Sequence, residues 1–278
     1  MNRKMKPKVF LRKYFRILLG GAVLLAVIIS AIFAPMIAGH DPLKLDVLNN
    51  AARPNEEHIL GTDNMGRDVF ARLLYGGRVS LLVGLCVGIL GVILGIIVGM
   101  LSGYYPKVDK ILMRVMDGLS AFPSVLMALL MLTAIGNGVP TLVLALSISY
   151  TPGISRLVRG VVLSVKEQEH VEAARAMGAS DLRIMLQYIL PLCASPLIIR
   201  FTITCASAIL SEASLSFLGL GVGVTTPTWG NMLTDGKNFI FTAPYLLYAP
   251  GIAIIITVLA INMIGDGLRD VLDPRLKS

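Results

Sequence analysis

Residues 79–103 read VSLLVGLCVGILGVILGIIVGMLSG, a run of twenty-five positions without a charge. At 1.5 Å per residue a helix of this length reaches about 37 Å, enough to cross a hydrocarbon core roughly 30 Å thick. The run also carries a pattern. Gly91, Gly95, Gly99 and Gly103 recur every fourth position, with Gly84 and Gly88 before them. That interval places them along one helix face, where missing side chains let a second helix backbone approach closely. Such a seam fits either an internal contact or a subunit interface.

Five more apolar runs are long enough to span, at about 17–39, 112–135, 139–160, 192–212 and 245–265. The 112–135 run begins among charges (Arg114, Asp117), and Pro152-Gly153 interrupts 139–160. Breaks of that kind persist in a bilayer only where neighbours or water satisfy the freed backbone groups. Composition agrees: of 278 residues 55% are hydrophobic and 15% charged, against about 25% charged in a globular domain. The expectation is an all-α membrane protein of about six transmembrane helices. The first apolar run follows seven cations (Arg3, Lys4, Lys6, Lys8, Arg12, Lys13, Arg16). Signal peptides share that charge order, but their apolar cores are only about 7–15 residues long, so length favours an uncleaved first helix.

The net charge of +8 does not describe a nucleic-acid binder, because the cations flank the apolar runs and form no basic stripe with interleaved aromatics. With the N-terminus placed inside, the inner segments hold eighteen Lys and Arg and the outer loops six. This is the positive-inside bias, and it puts both termini in the cytoplasm. The chain then divides into a cytoplasmic tail (1–16), a first transmembrane helix (17–39), an extracytoplasmic loop (40–78), a five-helix core (79–268) and a cytoplasmic tail (269–278). Cys86, Cys193 and Cys205 read as small hydrophobes in helices. His40, His58 and His170 are scattered along the chain and support no metal site.

The largest inner connection, 161–191, reads VVLSVKEQEHVEAARAMGASDLRIMLQYILP. Val165, Val171, Ala174 and Met177, then Leu182, Met185 and Leu186, recur at helical spacing. Between them, Gly178 can take the left-handed conformation that ends a helix, and Ser180 or Asp181 can cap the next. This predicts a short helix, a tight turn and a second helix beneath the membrane, with Pro191 at the start of the fifth span. A helix resting on lipid would show a basic face with large apolar anchors. Here the charges nearly balance around Ala173 and Ala174, which suits docking into a protein groove better.

Glu172-Ala173-Ala174, Gly178 and Leu190-Pro191 resemble the EAA loop of ABC importer permeases, with Tyr188 where the family pattern has isoleucine. Further motifs extend the resemblance to the dipeptide, oligopeptide and nickel permease family, in its shorter C-type form. They are His58-Ile59-Leu60-Gly61-Thr62-Asp63, Gly66-Arg67-Asp68, Arg78-Val79-Ser80-Leu81, the stretch from Leu215 to Gly221, Trp229-Gly230-Asn231-Met232-Leu233, Gly265-Asp266, Leu268-Arg269-Asp270 and Leu272-Asp273-Pro274-Arg275. The resemblance implies a type I ABC importer permease fold with a cytoplasmic helix-turn-helix coupling loop, in the bacterial inner membrane. It implies pairing with a second homologous permease, two P-loop ATPases below and an extracytoplasmic solute-binding protein above. The carried solute would be a di- or oligopeptide, with nickel or a metallophore as the alternative. Glu169, Glu172, Ala173, Ala174 and Gly178 would couple to an ATPase. The chain would be a transport subunit and not an enzyme. No G-x-x-x-x-G-K-[ST] loop occurs, so ATP and Mg belong on the partner ATPases and no cofactor is expected on this chain.

Four other features carry expectations. Asp63, Arg67 and Asp68 form a salt-bridged turn, a contact for the binding protein or a cation site. Trp229 sits at headgroup level in a short interfacial helix, or on the docking surface for the binding protein. Arg200, at membrane depth, faces the translocation path or a neighbouring helix, because a charge there needs a wet cavity or a bundle interior. Glu212, about 18 Å further along the helix, cannot pair with it and is placed at the outer interface.

Two other functional classes were compared with this reading. A self-contained secondary transporter would need buried coupling charges and internal repeats, and an intramembrane protease would need H-E-x-x-H or a serine–histidine pairing. The sequence shows one mid-span charge, no clear repeat and neither catalytic motif. The turn at Gly178 yields a direct test. Gly178→Val should leave insertion intact but lower substrate-stimulated ATPase activity of the complex, because a β-branched residue adopts positive φ poorly. Stimulation equal to that of the parent would refute the role of the turn.

Overall fold

The computed structural model describes residues 7–223 and 226–272, with side chains from Tyr14 onward. The terminal cations Arg3, Lys4 and Lys6 and the closing Asp273-Pro274-Arg275 lie outside the described residues. The described chain is helical: α1 Pro7–Ile32, α2 Ala34–Ile37, α3 Val69–Tyr104, α4 Pro106–Ser120, α5 Ser124–Ile135, α6 Val139–Val165, α7 Glu169–Ala176, α8 Asp181–Arg183, a π-helical stretch Ile184–Ile189, α9 Leu190–Phe217, α10 Trp229–Gly236 and α11 Tyr245–Leu272. Five helices are long and apolar enough to cross a membrane.

The third expected span, 112–135, is not one straight helix. It is divided between α4 and α5, which meet at about 90° across Ala121–Pro123. Proline disfavours helical geometry in the residue before it, which ends α4 there. With 12 residues, α5 is only about 18 Å long, shorter than a bilayer core. The α4–α5 pair makes a sixth span only if counted as one bent unit.

Other boundaries move as well. The second span starts at Val69 and not near 79, so the connection before it ends at Asp68, whose carboxylate accepts from Ala71 N and caps the helix. Pro152-Gly153 does not interrupt the fourth span, since α6 runs through Pro152 without a break. Ser147, Ser149 and Thr151 each bond back to the carbonyl four residues earlier, and Ser155 bonds to the Pro152 carbonyl. The second helix of the expected helix-turn-helix is not separate either. From Asp181 the chain continues through α8 and the π stretch into α9, forming one 37-residue span. Pro191, which lacks an N–H, is accommodated by the π turn before it, where Leu190 N–H bonds five residues back to Met185.

The glycine seam decides the packing, and it is internal. A Cβ on Gly99 would lie 2.6 Å from both the Ser155 carbonyl and Val158 Cβ, and one on Gly103 would lie 2.6 Å from Val162 Cβ. Gly91 and Gly95 meet α6 around Ile154, whereas Gly84 and Gly88 meet α9 at Ile209, Cys205 and Phe201. The lower and upper halves of α3 therefore receive different partners. On the opposite face, Leu82, Leu85, Ile89, Ile93 and Ile97 are exposed at helical spacing, as suits a lipid-facing stripe. The cysteines pack as hydrophobes, Cys193 and Cys205 buried and Cys86 half-buried, all as free thiols.

Helix α1 lies at the periphery, packed along α11 where Gly20 meets the Ala260 carbonyl. Its last carbonyls, at Ala31 and Ile32, accept from the Arg78 guanidinium of α3. That satisfies groups a helix end otherwise leaves open. At the other end of the bundle, Arg159 of α6 grips Asp109 of α4 with two bonds of 2.6 Å.

A glycine at the seam and one in open space should respond differently. Gly99→Ala should destabilise the detergent-solubilised protein by about 1–3 kcal/mol, through overpacking against α6. Gly160→Ala, with nothing within 4 Å of the added carbon, should be neutral or slightly stabilising. Thermal unfolding of both variants beside the parent measures the difference.

Candidate functional site

The segment from Glu169 to Ser180 forms a knob at one end of the bundle. Val171 and Ala174, on one face of α7, are fully buried, Val171 in an apolar cluster with Val165, Ile184, Met185 and Ile189. The opposite face presents Glu169, His170, Glu172, Ala173 and Ala176 to the surface, followed by Met177 at 78% exposure. The spacing of three between Val171 and Ala174 allows this division. The structure thus separates the expected coupling residues: Glu169, Glu172, Ala173 and Gly178 are exposed, while Ala174 anchors the helix and offers no surface.

The turn is built as the sequence indicated. Gly178 has φ +83°, Ala179 N–H bonds back to the Ala174 carbonyl, and Ser180 Oγ accepts from Arg183 N. Past the turn, Asp181 accepts from two phenols, Tyr104 OH at 2.7 Å and Tyr105 OH at 3.0 Å. The bond to the carboxylate raises the Tyr105 pKa above the ordinary phenol value, so the residue stays a neutral donor. Lys166 Nζ reaches the Gly103 carbonyl and Arg175 reaches Tyr104 OH. The knob is therefore tied to the end of α3 and is continuous with α9.

At the opposite end, the Asp63 turn is a buried ion network. Asp63 accepts from Met65 N, from Arg67 N and Nε, and from Arg72. Arg67 and Arg72 also both reach Asp235 of α10, at 2.9 and 2.8 Å. Two guanidinium groups and two carboxylates thus balance, as buried charges must. This agrees with the salt-bridged-turn reading, and because Asp63, Arg67 and Asp68 are all buried they present little surface to a partner. Asp68 pairs not with an arginine but with His58, Nδ1 to Oδ2 at 2.9 Å.

Trp229 does not lie at an exposed headgroup level. Its ring is 2% exposed and packs on Gly77, and its Nε1 donates to the Leu73 carbonyl at 2.9 Å. It locks α10 onto α3 and is unavailable as a surface contact. Glu212 is also not at an exposed boundary: it is fully buried in the α3–α9 contact, accepting from Ser80 Oγ, Ser216 Oγ and Thr228. Arg200 turns toward α6, where its guanidinium fills the space over Gly153. Its Nε is buried without a hydrogen-bond partner among the described residues.

Sequence reading missed Arg72 and Asp235, the second half of the ion network, because Asp235 lies 163 residues from Arg72 and no spacing rule connects them. It also missed Tyr104 and Tyr105 as partners of Asp181. Ser216, four residues after Glu212, was the one legible signal of a buried carboxylate site. The histidines were misread as scattered, for the structure brings His40 and His58 to a centroid distance of 5.0 Å.

Residues 91–278 match the family described as binding-protein-dependent transport system inner membrane component. A probable peptide ABC transporter permease of Sinorhizobium fredii is 48% identical over 94% of this chain and 89% of its own length. A dipeptide transport system permease of Alkalihalophilus pseudofirmus is 39% identical over 96% of this chain and 88% of its own. A glutathione transport system permease of Escherichia coli is 42% identical over 90% and 83%. Among solved structures, the inward-facing MetNI methionine ABC transporter superposes with a TM-score of 0.61, covering 73% of this chain and 96% of that one at 20% identity, which supports the type I importer fold. The helical spans, the knob at Glu169–Ser180 and these matches agree: the chain belongs to the binding-protein-dependent inner-membrane components, the multi-pass permease subunits of ABC importers.

Proposed function

We propose that this chain forms half of a translocation path for di- or oligopeptides, working with a second homologous permease. Two P-loop ATPases dock on its cytoplasmic face, and an extracytoplasmic binding protein delivers the solute. The relatives described above are named for peptides, a dipeptide and glutathione, which favours peptide over nickel or a metallophore. The positive-inside bias supports a cytoplasmic α7 and cytoplasmic termini, with the Asp63–Asp235 network outside and the bacterial inner membrane as the location.

The observation that carries the coupling role is the two-faced α7. A helix pinned by Val171 and Ala174 and presenting small Ala173 between Glu169, Glu172 and Ala176 fits a groove that a bulky side chain would block. Movement of an ATPase against that face has two routes into the bundle. One is the continuous α8–π–α9 span, and the other is the Asp181 carboxylate held by the phenols at the end of α3. No step of ATP chemistry falls on this chain, since the nucleotide and its Mg are bound by the ATPases.

Arg200 is assigned to the path side of α9, since the residue is half-buried at the contact with α6 and a charge at membrane depth needs a wet cavity or a bundle interior. The Asp63 network and α10 form the platform beneath the binding protein, whose contacts then fall on exposed loop residues around them.

Ala173→Trp should abolish substrate-stimulated ATP hydrolysis in the reconstituted complex while leaving the permease inserted, and co-purification of the ATPases should fall with it. Full stimulation in that variant would remove α7 from the coupling pathway. For the path, Arg200→Leu should lower the peptide transport rate at least about tenfold, a transition-state cost near 1.4 kcal/mol, with ATPase docking unchanged. Transport at the parent rate would place Arg200 outside the path. Mass spectrometry of the complex purified in mild detergent should recover a second permease and P-loop ATPases.

A further inference from the structure

We propose that His40, His58 and Asp68 form a binding site for a divalent transition-metal cation of the zinc class, at the end of the bundle opposite α7. The three residues come from separate places: His40 follows α2, His58 lies in the connection before the second span, and Asp68 caps α3. One donor atom from each lies within 4.8 Å of the other two. A tetrahedral zinc ion with bonds of 2.0–2.1 Å needs donors about 3.3 Å apart. His58 Nδ1 and Asp68 Oδ2, at 2.9 Å, already stand near that separation. His40, half-exposed and in a connecting segment, is the residue that moves in to complete the set.

Four features favour a cation here over a simple histidine–carboxylate contact. First, no arginine pairs with the buried Asp68, whose ion-pair partner among the described residues is His58, whereas Asp63 and Asp235 are balanced by Arg67 and Arg72. Second, its two oxygens are divided: Oδ1 accepts from Ala71 N at 2.6 Å and caps α3, while Oδ2 contacts His58 Nδ1, so a metal taking the place of the proton between them would leave the cap intact. Third, His40 has no hydrogen-bond partner among the described residues, although its ring stands 5.0 Å from that of His58 with the planes tilted by 40°. Fourth, His40 lines an open cleft of about 570 Å³ together with Asp41, Tyr75 and Pro227, which gives an approach to the site from the His40 side.

Two imidazoles and one carboxylate make a nitrogen-rich set that suits zinc, nickel or copper and is poor for calcium or magnesium, which take oxygen ligands. A bound ion would join the segment after α2 to the first turn of α3, closing the 40–68 connection into a loop. Because the unfolded chain lacks the preformed site, binding would also stabilise the fold.

The test uses the full-length permease, purified with an affinity tag that contains no histidine and titrated with Co²⁺ and Zn²⁺ alone. The parent should take one Co²⁺ per chain, with visible d–d absorption that Zn²⁺ displaces, and Zn²⁺ should raise its Tm. Binding should weaken by more than the roughly 10–100-fold that losing an outer-shell partner costs in His40→Ala and in Asp68→Asn, the latter still able to cap α3. His170→Ala, changing an exposed histidine on α7, should bind like the parent. Absence of stoichiometric Co²⁺ binding by the parent would overturn the proposal, as would unchanged affinity in His40→Ala.

Discussion

The close approach of α3 to α6 and α9 is the constraint on which the rest of the bundle depends. In a bilayer, lipid is as apolar as leucine, so burying hydrophobic side chains supplies little drive for helices to associate. Dispersion contact between closely packed backbones takes its place, and that requires positions with no side chain. Gly84 and Gly88 give such positions to α9, and Gly91, Gly95, Gly99 and Gly103 give them to α6. Once both halves of this face of α3 are taken, the ends of α3, α6 and α9 are fixed relative to one another. The functional elements at both ends are built on those fixed termini.

The two ends use polar chemistry differently. Near Asp63 the charges are buried and balanced, with Arg67 and Arg72 shared between Asp63 and Asp235, so α10 is held against the start of α3. Removing one partner from such a set strands a buried charge at a cost of about 3–5 kcal/mol, which makes it a rigid joint. Near α7 the polar contacts are exposed: the phenols of Tyr104 and Tyr105 on Asp181, and Arg175 on Tyr104. Exposed contacts of this kind contribute little to stability. They orient the knob, while its firm anchorage comes from the buried Ala174 and from Val171 in the apolar cluster with Ile184 and Ile189. One end therefore suits a fixed platform and the other an adjustable docking element.

Several expectations failed for a common reason. The 112–135 run is apolar enough to span, but hydropathy does not sense the 90° bend that Pro123 permits and packing selects. Pro152 reads as a break, yet α6 passes through it because side-chain hydroxyls and neighbouring helices support the helix there. Trp229 reads as an interfacial anchor, but Gly77 opens a slot that takes its ring into the interior. In each case a single-residue preference gave way to its structural surroundings, through hydroxyls nearby in sequence for Pro152 and through a glycine distant in sequence for Trp229.

The sequence by itself determined the membrane character, most of the long helices, the Gly178 turn with its Ser180 cap, and the family. These follow from short-range properties, namely the length of uncharged runs, an interval of four, the φ freedom of one glycine and the order of motifs. Only the tertiary structure decided that the glycine seam faces inward, that Ala174 anchors while Ala173 is presented, that Asp235 completes the Asp63 network, and that His40 meets His58. Those facts depend on contacts between segments up to 168 residues apart. Sequence periodicity fixes which face of a helix a residue occupies, but what that face meets is set by how the whole bundle closes.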